Sequence, residues 1–308
     1  MPLPAGKLKR WRMAKLKLTF LSKGGKLTPI LTMKITYDTD PASYETMTTE
    51  SLRRSFLVED LFAAGQIVLR YWSNERSVIG SAVPTDAPLE LPCPKELAAT
   101  YFTERREIGV MNIGGAGSIN VDGQTFSLAK LDCLYIGRGS KQVVFASVKA
   151  SEPAQFYIAS YPAHTAYPTA LATPPQADKS DLGSQADANQ RTIHRYIHLA
   201  GIKSCQLVMG FTVLKTGSVW NTMPPHTHLR RTEIYLYFDL QPNGAVFHMM
   251  GRPEATRSIV VHDRKAVLSP SWSIHCGGGT SNYTFIWAMG GENQVFADMD
   301  AAPVPELR

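Results

Sequence analysis

Three histidines and a glutamate stand out as side chains that could share one chemical task. They are His226, His228, Glu233 and His275. Side chains two residues apart on a β-strand point to the same face, roughly 6.5 to 7 Å apart along it, so the first two imidazoles can converge on one ion. Three neutral imidazoles with one carboxylate suit divalent zinc, iron, manganese, nickel or cobalt. The pattern therefore predicts a single metal site without choosing among these ions.

The spacing of these residues also constrains the backbone. Glu233 follows His228 by five positions, and an odd number places two side chains on opposite faces of an uninterrupted strand. We therefore expect a bend or bulge between Arg230 and Thr232. A His-x-His pair alone is more often structural than metal-binding in β proteins, so the prediction depends on all four residues.

The first three ligands, taken with the segment Pro270-x4-His275, resemble the two metal motifs of the cupin superfamily. Two positions depart from the superfamily pattern. Trp272 stands where a glycine is usual, and Gly279 stands where an asparagine is usual. Both departures leave the four ligand positions intact, so the resemblance still implies a metal-binding β-barrel.

Longer stretches resemble one enzyme family within that superfamily, 5-keto-4-deoxyuronate isomerase, also called 4-deoxy-L-threo-5-hexosulose-uronate ketol-isomerase. They are IGGAGSINVDG, NTMPPHTHLRRTEIYLYF, VFHMMGRPEATRSIVVHD and SPSWSIHCGGGTSNYTFIWAMGGENQVFADMD. The similarity runs from about Met33 to Arg308. It implies conversion of 4-deoxy-L-threo-5-hexosulose uronate into 3-deoxy-D-glycero-2,5-hexodiulosonate during pectin and uronate breakdown. It also implies one zinc ion per subunit and a homo-oligomer, specifically a hexamer.

An aldose–ketose isomerase needs a base for the proton at C2 and a cation for the carboxylate of its substrate. Glu233 and Tyr235 are the candidates for moving the proton. Arginine is preferred for binding a carboxylate because its planar fork makes two parallel bonds. Candidates for substrate contacts are Arg230, Arg231, Arg252, Asn221 and Trp272. Solvated arginines and core tryptophans are the ordinary alternatives.

The other histidines fit structural roles better. We expect His248, between apolar neighbours, to be a buried core residue and His262 to lie in a turn. His194 and His198 would stand roughly 13 Å apart on a strand, too far to share an ion. In the first half of the chain the similar segment has Glu107 but no histidine, and His164 stands alone, so we expect no metal there.

The pattern of apolar and turn-forming residues predicts the secondary-structure elements that position these residues. From Ile67 onward, short runs rich in Val, Ile, Tyr and Phe alternate with Gly, Pro and turn dipeptides, as is typical of β-sandwiches and barrels. Asp122-Gly123 and Asn243-Gly244 predict tight hairpins. Apolar residues at helical spacing predict one short helix between Thr48 and Phe62, capped by Ser51 or Thr49.

Similar segments in the two halves, RREIGVMNI and RRTEIYLYF, favour an internal duplication. We therefore predict an all-β protein of two cupin-like (double-stranded β-helix) barrels, a bicupin, with few short helices. The expected parts are a basic extension (1–32), an N-terminal cupin-like β domain without metal (33–166), a connecting segment (167–190) and a C-terminal metal-binding domain (191–308).

The distribution of charge and the cysteine content restrict the classes of partner and the cellular compartment that suit this chain. Residues 1–32 hold eight basic side chains and no acidic one, whereas the whole chain has a net charge of +6, so the remainder is close to neutral. This distribution argues against a nucleic-acid partner, and no apolar run is long enough for a membrane helix. The four scattered cysteines form no C-x-x-C pair, which favours a reducing, cytoplasmic setting.

Three interpretations of residues 1–32 remain open: sequence upstream of the native start, a disordered arm, or a targeting segment. We expect these residues to contribute nothing to folding or catalysis.

Two alternatives to the isomerase also remain open. A cupin dioxygenase would use the same ligands with oxygen uptake, and a non-enzymatic sugar-acid-binding cupin would bind a uronate without turnover.

Overall fold

The computed structural model describes residues 33–308, so the basic extension lies outside the described residues. Strands dominate, with two short α-helices near the start. The elements, in chain order, are β1 (Lys34–Thr36), α1 (Pro41–Glu45), α2 (Thr49–Phe56), β2 (Leu57–Val58), β3 (Ile67–Trp72), β4 (Ser77–Ala82), β5 (Leu89–Glu90), β6 (Arg106–Asn112), β7 (Gly117–Val121), β8 (Gln124–Leu128), β9 (Cys133–Ile136), β10 (Val143–Ser147), β11 (Phe156–Pro162), β12 (Ala170–Ala172), β13 (Asp178–Leu182), β14 (Arg191–Ile197), β15 (Val208–Leu214), β16 (Trp220–Asn221), β17 (His226–Thr227), β18 (Arg231–Phe238), β19 (Val246–Gly251), β20 (Arg257–Val261), β21 (Lys265–Ser269), β22 (Ile274–Gly279), β23 (Thr284–Gly291) and β24 (Asp300–Ala301).

The helix expected between Thr48 and Phe62 is shorter than predicted. Thr48 is the N-cap, because its side chain accepts a hydrogen bond from the Ser51 amide, so the two caps proposed from sequence are wrong. The helix ends at Phe56 because the next two residues pair as strand β2 with β21. Within the described residues, no helix has the length and apolar character that crossing a membrane requires.

Two large and two small sheets build the expected pair of barrels, which confirms the all-β prediction. The large sheets have the orders β1-β3-β4-β11-β6-β9-β12 and β13-β14-β15-β23-β18-β21-β2. The small sheets have the orders β5-β10-β7-β8 and β16-β22-β19-β20. Corresponding strands occupy corresponding places in the two halves, which supports the internal duplication.

Each barrel has its own apolar interior, and a third core joins the barrels. Ile108 and Val110 of β6 pack inside the first barrel, and Tyr235 of β18 packs inside the second. The alternate residues of these strands, such as Met111 and Ile234, belong to the core between the two large sheets. Both large sheets are therefore covered on both faces, and their strands are apolar on both faces.

One of the two predicted hairpins is confirmed and the other is wrong. Asp122 and Gly123 both have positive φ values and join β7 directly to β8. Asn243 also has a positive φ, but the strands on either side of it do not pair. Strand β18 lies in the large sheet and β19 in the small one, so this turn carries the chain across the barrel.

The segment 167–190 is more ordered than a simple connection. Strand β12 pairs with β9 of the first half, and β13 pairs with β14 of the second half. We propose that the boundary between the two domains lies between these strands, near Ala177. Strand β2 belongs to the second half by pairing although it precedes β3 in the chain.

Glu107 links the two barrels. Its carboxylate accepts hydrogen bonds from the backbone amides of Cys205, Gln206 and Leu207 at 2.7 to 2.9 Å. It also accepts the hydroxyl of Tyr135 at 2.9 Å. Four donors satisfy a carboxylate that is fully buried in the joint core, so this residue stabilises the contact between the halves rather than a metal site.

We predict that Glu107→Ala lowers the free energy of unfolding by about 3 to 5 kcal/mol, because it leaves several buried donors without an acceptor. Urea unfolding monitored by circular dichroism measures the change. The exposed Glu152→Ala is the matched control and should change stability by less than about 0.5 kcal/mol. Equal stability of the two variants would contradict the role given to Glu107.

Candidate metal centre

Three strands of the second barrel position the four predicted ligands. His226 lies on β17, His228 directly follows it, Glu233 lies on β18 and His275 lies on β22. The chain turns between β17 and β18, where the amide of Arg231 donates to the carbonyl of His228 at 2.9 Å. This turn supplies the bend that the spacing predicts, and it brings the glutamate to the same face as the histidines.

The ligand atoms converge on one point. The Nε2 atoms of His226 and His275 are 3.2 Å apart, and Glu233 Oε2 lies 3.1 Å from His228 Nε2 and 2.8 Å from His275 Nε2. One ligand atom from each of the four residues lies within 4.8 Å of every other. Ligands at 2.0 to 2.1 Å around a tetrahedral ion lie about 3.3 Å apart, so the arrangement could hold a metal with small adjustments.

Hydrogen bonds to the backbone orient two of the imidazoles. His228 Nδ1 is 3.2 Å from the carbonyl of Arg231, and His275 Nδ1 is 3.2 Å from the carbonyl of Ser273. A carbonyl accepts only, so the proton resides on Nδ1 and the Nε2 lone pair faces the cluster. This is the tautomer that a metal-binding histidine requires.

The electrostatics of the cluster also suit a cation. Burial, reinforced by the neighbouring His275, lowers the pKa of His226 to about 3, so this imidazole is neutral at neutral pH. Burial raises the pKa of Glu233, but the charge and hydrogen bonds that His275 and His228 supply when protonated outweigh it and hold that pKa well below its usual range. Neutral nitrogen donors and an ionised carboxylate are the protonation states in which these groups bind a divalent ion.

A cavity of about 490 Å³ opens onto the cluster. Its walls are largely apolar, and Tyr235 and Thr222 contribute hydroxyl groups. The apolar part of the lining comprises Leu182, Ile193, Met223, Pro224, Pro225, Phe285, Trp287, Met289, Phe296, Ala297, Met299 and Ala301. A volume of this size accommodates a six-carbon sugar acid.

Both predicted catalytic candidates, Glu233 and Tyr235, line this cavity. The hydroxyl of Tyr235 lies 3.0 Å from Thr222 Oγ1, and its ring lies 5.6 Å from that of His275, centroid to centroid. Burial raises the pKa of Tyr235 well above its usual value, so the phenol carries its proton at neutral pH. It can therefore donate a hydrogen bond into the cavity.

The adjacent arginines Arg230 and Arg231 hold the segment that closes the cavity. Arg230 pairs with Asp298 and Asp300 at 2.7 and 2.9 Å. Arg231 lines the cavity and is fully buried, but its Nη1 and Nη2 donate to the carbonyls of Val295 and Asp298. Both guanidinium groups thus bind parts of this chain.

The other predicted substrate contacts lie away from the cavity lining. Arg252 is half-exposed and faces Glu45 and Glu254. Asn221 donates to the Tyr283 hydroxyl at 2.7 Å in the barrel interior. Trp272 donates from its indole nitrogen to the carbonyl of Thr39 at 3.2 Å and packs against Tyr44 and Phe56 outside the cavity.

Sequence reasoning missed Arg191, which lines the cavity at the start of β14. It lies outside every recognised motif, and only its inward orientation brings it to the site. Thr222 was also missed, although it lies four residues before His226 in a recognised stretch. That position was a usable signal, whereas nothing local marked Arg191.

The remaining histidines have the structural surroundings expected of them. His248 is buried, and its Nδ1 lies 2.8 Å from the Tyr237 hydroxyl. His262 is exposed in a turn beside Gly244. His194 stacks on the ring of Phe211 at 4.3 Å. Among residues 33–308, the four predicted ligands are the group whose geometry could hold a metal.

Comparisons of the sequence give closely similar proteins. The model of the KduI/IolB family matches residues 57–304. The chain is 52% identical over 277 residues to the 4-deoxy-L-threo-5-hexosulose-uronate ketol-isomerase of Opitutus terrae, covering 90% of this chain and 100% of that protein. It is 50% identical over 276 residues to the protein of the same name from Shouchella clausii, again covering 90% and 100%.

Solved structures show a shared fold at low sequence identity. An IolB-like protein from Salmonella typhimurium superimposes with a TM-score of 0.65 at 14% identity, covering 78% of this chain and 94% of that chain. Vicilin from tomato gives a TM-score of 0.50 at 11% identity, with coverages of 75% and 83%. These superpositions show a shared architecture, and at identities this low they carry no information about chemistry.

We predict that His226→Ala and His275→Ala lose most of the bound metal while the fold persists, because each removes one ligand from a barrel whose core lies elsewhere. Metal analysis of the purified variants measures the loss, and circular dichroism checks the fold. Glu233→Gln should also retain less metal, since a neutral amide is a poorer ligand. His262→Ala, in an exposed turn, is the matched control. Full metal content in the His226 variant would contradict the assignment.

Proposed function

The chain belongs to the KduI/IolB family and folds as a bicupin, and we propose that its activity resides in the second barrel. It is a 4-deoxy-L-threo-5-hexosulose-uronate ketol-isomerase of uronate breakdown. The observation that supports placing the reaction here is the convergence of three imidazoles and one carboxylate at the wall of a largely apolar cavity.

Isomerisation of this aldose moves a hydrogen from C2 to C1 while the carbonyl moves from C1 to C2. The simplest route passes through a cis-enediol, so one group must remove the C2 proton and return it at C1. A divalent ion at the four-residue cluster would polarise the carbonyl and stabilise the negative charge that develops on oxygen.

Residues of the chain supply the remaining requirements. Glu233 contacts the imidazoles of His228 and His275 through its Oε2 atom. Its Oε1 atom has no hydrogen-bond partner among residues 33–308. We propose this second oxygen as the base that carries the proton between C2 and C1. The Tyr235 hydroxyl lies beside the cluster and is proposed to donate a hydrogen bond to a substrate oxygen. The apolar wall excludes water that would otherwise exchange the proton.

The metal, assembly and location are part of this proposal. Zinc is the ion that the family resemblance implies, and a site of three nitrogens and one oxygen is compatible with it. A homo-oligomer, specifically a hexamer, is implied by the same resemblance, and a cytoplasmic setting is proposed from the cysteines. The four cysteines are free thiols, which agrees with a reducing compartment.

We expect the metal-loaded protein to convert 4-deoxy-5-hexosulose uronate into its ketose isomer under anaerobic conditions. NMR of the reaction mixture follows the isomers, and metal content is measured on the same sample. Chelation should abolish turnover, and a divalent ion should restore it. Turnover by metal-free protein would contradict the metal assignment. Oxygen consumption in place of isomerisation would indicate a dioxygenase.

We predict that Tyr235→Phe lowers kcat by about 10²-fold or more, because it removes a preorganised donor from the reacting centre. Metal content should be unchanged, since the tyrosine is not one of the four ligands. Tyr44→Phe is the matched control, because its buried hydroxyl donates to the carbonyl of Met250 outside the cavity lining. Steady-state kinetics compare the two. Equal kcat values would exclude the role proposed for Tyr235.

A further inference from the structure

Two guanidinium groups line the cavity, and they differ in what they contact. Arg231 donates from both Nη atoms to backbone carbonyls of the closing segment. Arg191 makes one hydrogen bond, from Nη1 to the carbonyl of Asn189 at 2.8 Å. Within the described part of the chain, no carboxylate forms an ion pair with Arg191. Both terminal nitrogens of Arg231 are thus engaged, although its buried Nε has no partner, whereas Arg191 keeps its terminal Nη2 without a hydrogen-bond partner among the described residues.

The environment of Arg191 is unfavourable for a charge without a counterion. Burial lowers the pKa of Arg191, and the ionisable groups that oppose this effect are the phenols of Tyr235 and Tyr283. Both phenols are buried. Neutral phenols compensate a partly buried guanidinium poorly, whereas a carboxylate can meet two of its N–H groups in parallel. The chemistry of the pocket thus calls for an anion at this place.

The register of the large sheet separates this cation from the metal cluster. Arg191 lies on β14, and β15 and β23 intervene before β18, which carries Glu233. Along β14 the next residue on the same face is Ile193, which aligns through Thr212 with Phe285. Arg191 therefore lies beyond this row of residues, on the side away from Glu233. Tyr235, whose ring packs against that of His275, is one of the groups that oppose the lowering of the Arg191 pKa by burial, so this tyrosine lies between the two ends of the cavity.

We propose that Arg191 binds the C6 carboxylate of the substrate and thereby directs C1 and C2 toward the metal cluster. This assignment rests on the proposed function. An open-chain uronate has its carboxylate at one end and its reacting carbons at the other. A cavity with a cation at one end and the four-residue cluster at the other matches this polarity. Arg191 is a specificity-determining residue in this scheme.

The cavity wall between Arg191 and the metal cluster fits the middle carbons of the open-chain uronate. Ile193, Phe285 and Trp287 offer carbon surface there. Thr212, also on this wall, already accepts the indole N–H of Trp287 at 3.1 Å. The substrate has a methylene at C4, which needs no hydrogen-bond partner. With the carboxylate fixed at Arg191, a hydroxyl at C4 would face apolar groups. A pocket of this kind discriminates against an added hydroxyl by about 10²-fold at most.

The kinetic test compares the uronate with its C6 methyl ester, which keeps the carbon chain but lacks the charge. Arg191→Gln should lower kcat/KM for the acid by about 10- to 100-fold and change kcat/KM for the ester little. Arg191→Lys, which keeps the charge, should lie between the wild type and the Gln variant. Arg252→Gln removes a cation outside the cavity and should behave as the wild type. A parallel loss for acid and ester would overturn the proposal, since that result indicates a structural role.

A binding test separates this inference from the isomerase assignment. Gluconate and sorbitol share an open six-carbon chain and differ by a carboxylate, so titration calorimetry of each into metal-loaded protein measures the preference for the anion. The wild type and Arg252→Gln should prefer gluconate, and Arg191→Gln should lose at least about 10-fold of that preference. Should the wild type fail to isomerise the uronate, a gluconate preference that depends on Arg191 would still support the carboxylate site. Equal gluconate binding by wild type and Arg191→Gln would refute it.

Discussion

An ionised carboxylate enclosed in the second barrel is the constraint on which the site depends. Glu233 is 5% exposed, and a buried charge is strongly disfavoured unless it is paired or coordinates a metal. Its close polar contacts are imidazole nitrogens whose protons are directed away, toward backbone carbonyls. Neutral imidazoles alone leave the negative charge uncompensated. A divalent ion would satisfy the carboxylate and the nitrogen lone pairs together, so the four residues could hold such an ion.

The rest of the second barrel keeps that arrangement closed and aligned. Strand pairing fixes the ligands on β18 and β22, so the site does not depend on mobile loops for its geometry. The segment that lines one side of the cavity is held by charge-assisted bonds from Arg230 and Arg231, which lie between the candidate ligands His228 and Glu233 in sequence. Closure and metal binding therefore share one short stretch of chain. Arg191, on a distant strand, is the cavity arginine that keeps a terminal nitrogen without a hydrogen-bond partner among residues 33–308.

Comparison with the first barrel shows how a single inserted residue separates a candidate metal ligand from a structural carboxylate. The segments RREIG and RRTEIY differ by one inserted residue, Thr232. Because side chains alternate across a strand, this insertion moves the glutamate to the other face. Glu233 thus points into its barrel, while Glu107 points to the joint core and binds backbone amides of the second half. In the first barrel Arg106 takes an inward position. One duplicated motif serves chemistry in one half and assembly in the other.

The sequence by itself determined the fold class and predicted the four residues that converge as candidate metal ligands. The alternation of apolar residues, the turn dipeptides and the spacing of His226, His228, Glu233 and His275 are local patterns, and local patterns survive in a single sequence. It also indicated the bend before Glu233, because parity along a strand is a property of residue number. The hairpin that the sequence predicted at Asn243-Gly244 was wrong. Whether two successive strands pair with each other or lie in different sheets depends on the strands that each of them pairs with elsewhere in the chain.

Only the tertiary structure decided which polar side chains face the cavity. Arg230, Arg231 and Arg252 lie within recognisable motifs, yet the first two bind the closing segment and the third lies outside the cavity lining. Arg191 is far from every motif in sequence and reaches the cavity through the register of β14 with β15. Burial, register and competition for hydrogen-bond partners are set by contacts between residues distant in the chain. No single segment of sequence contains that information.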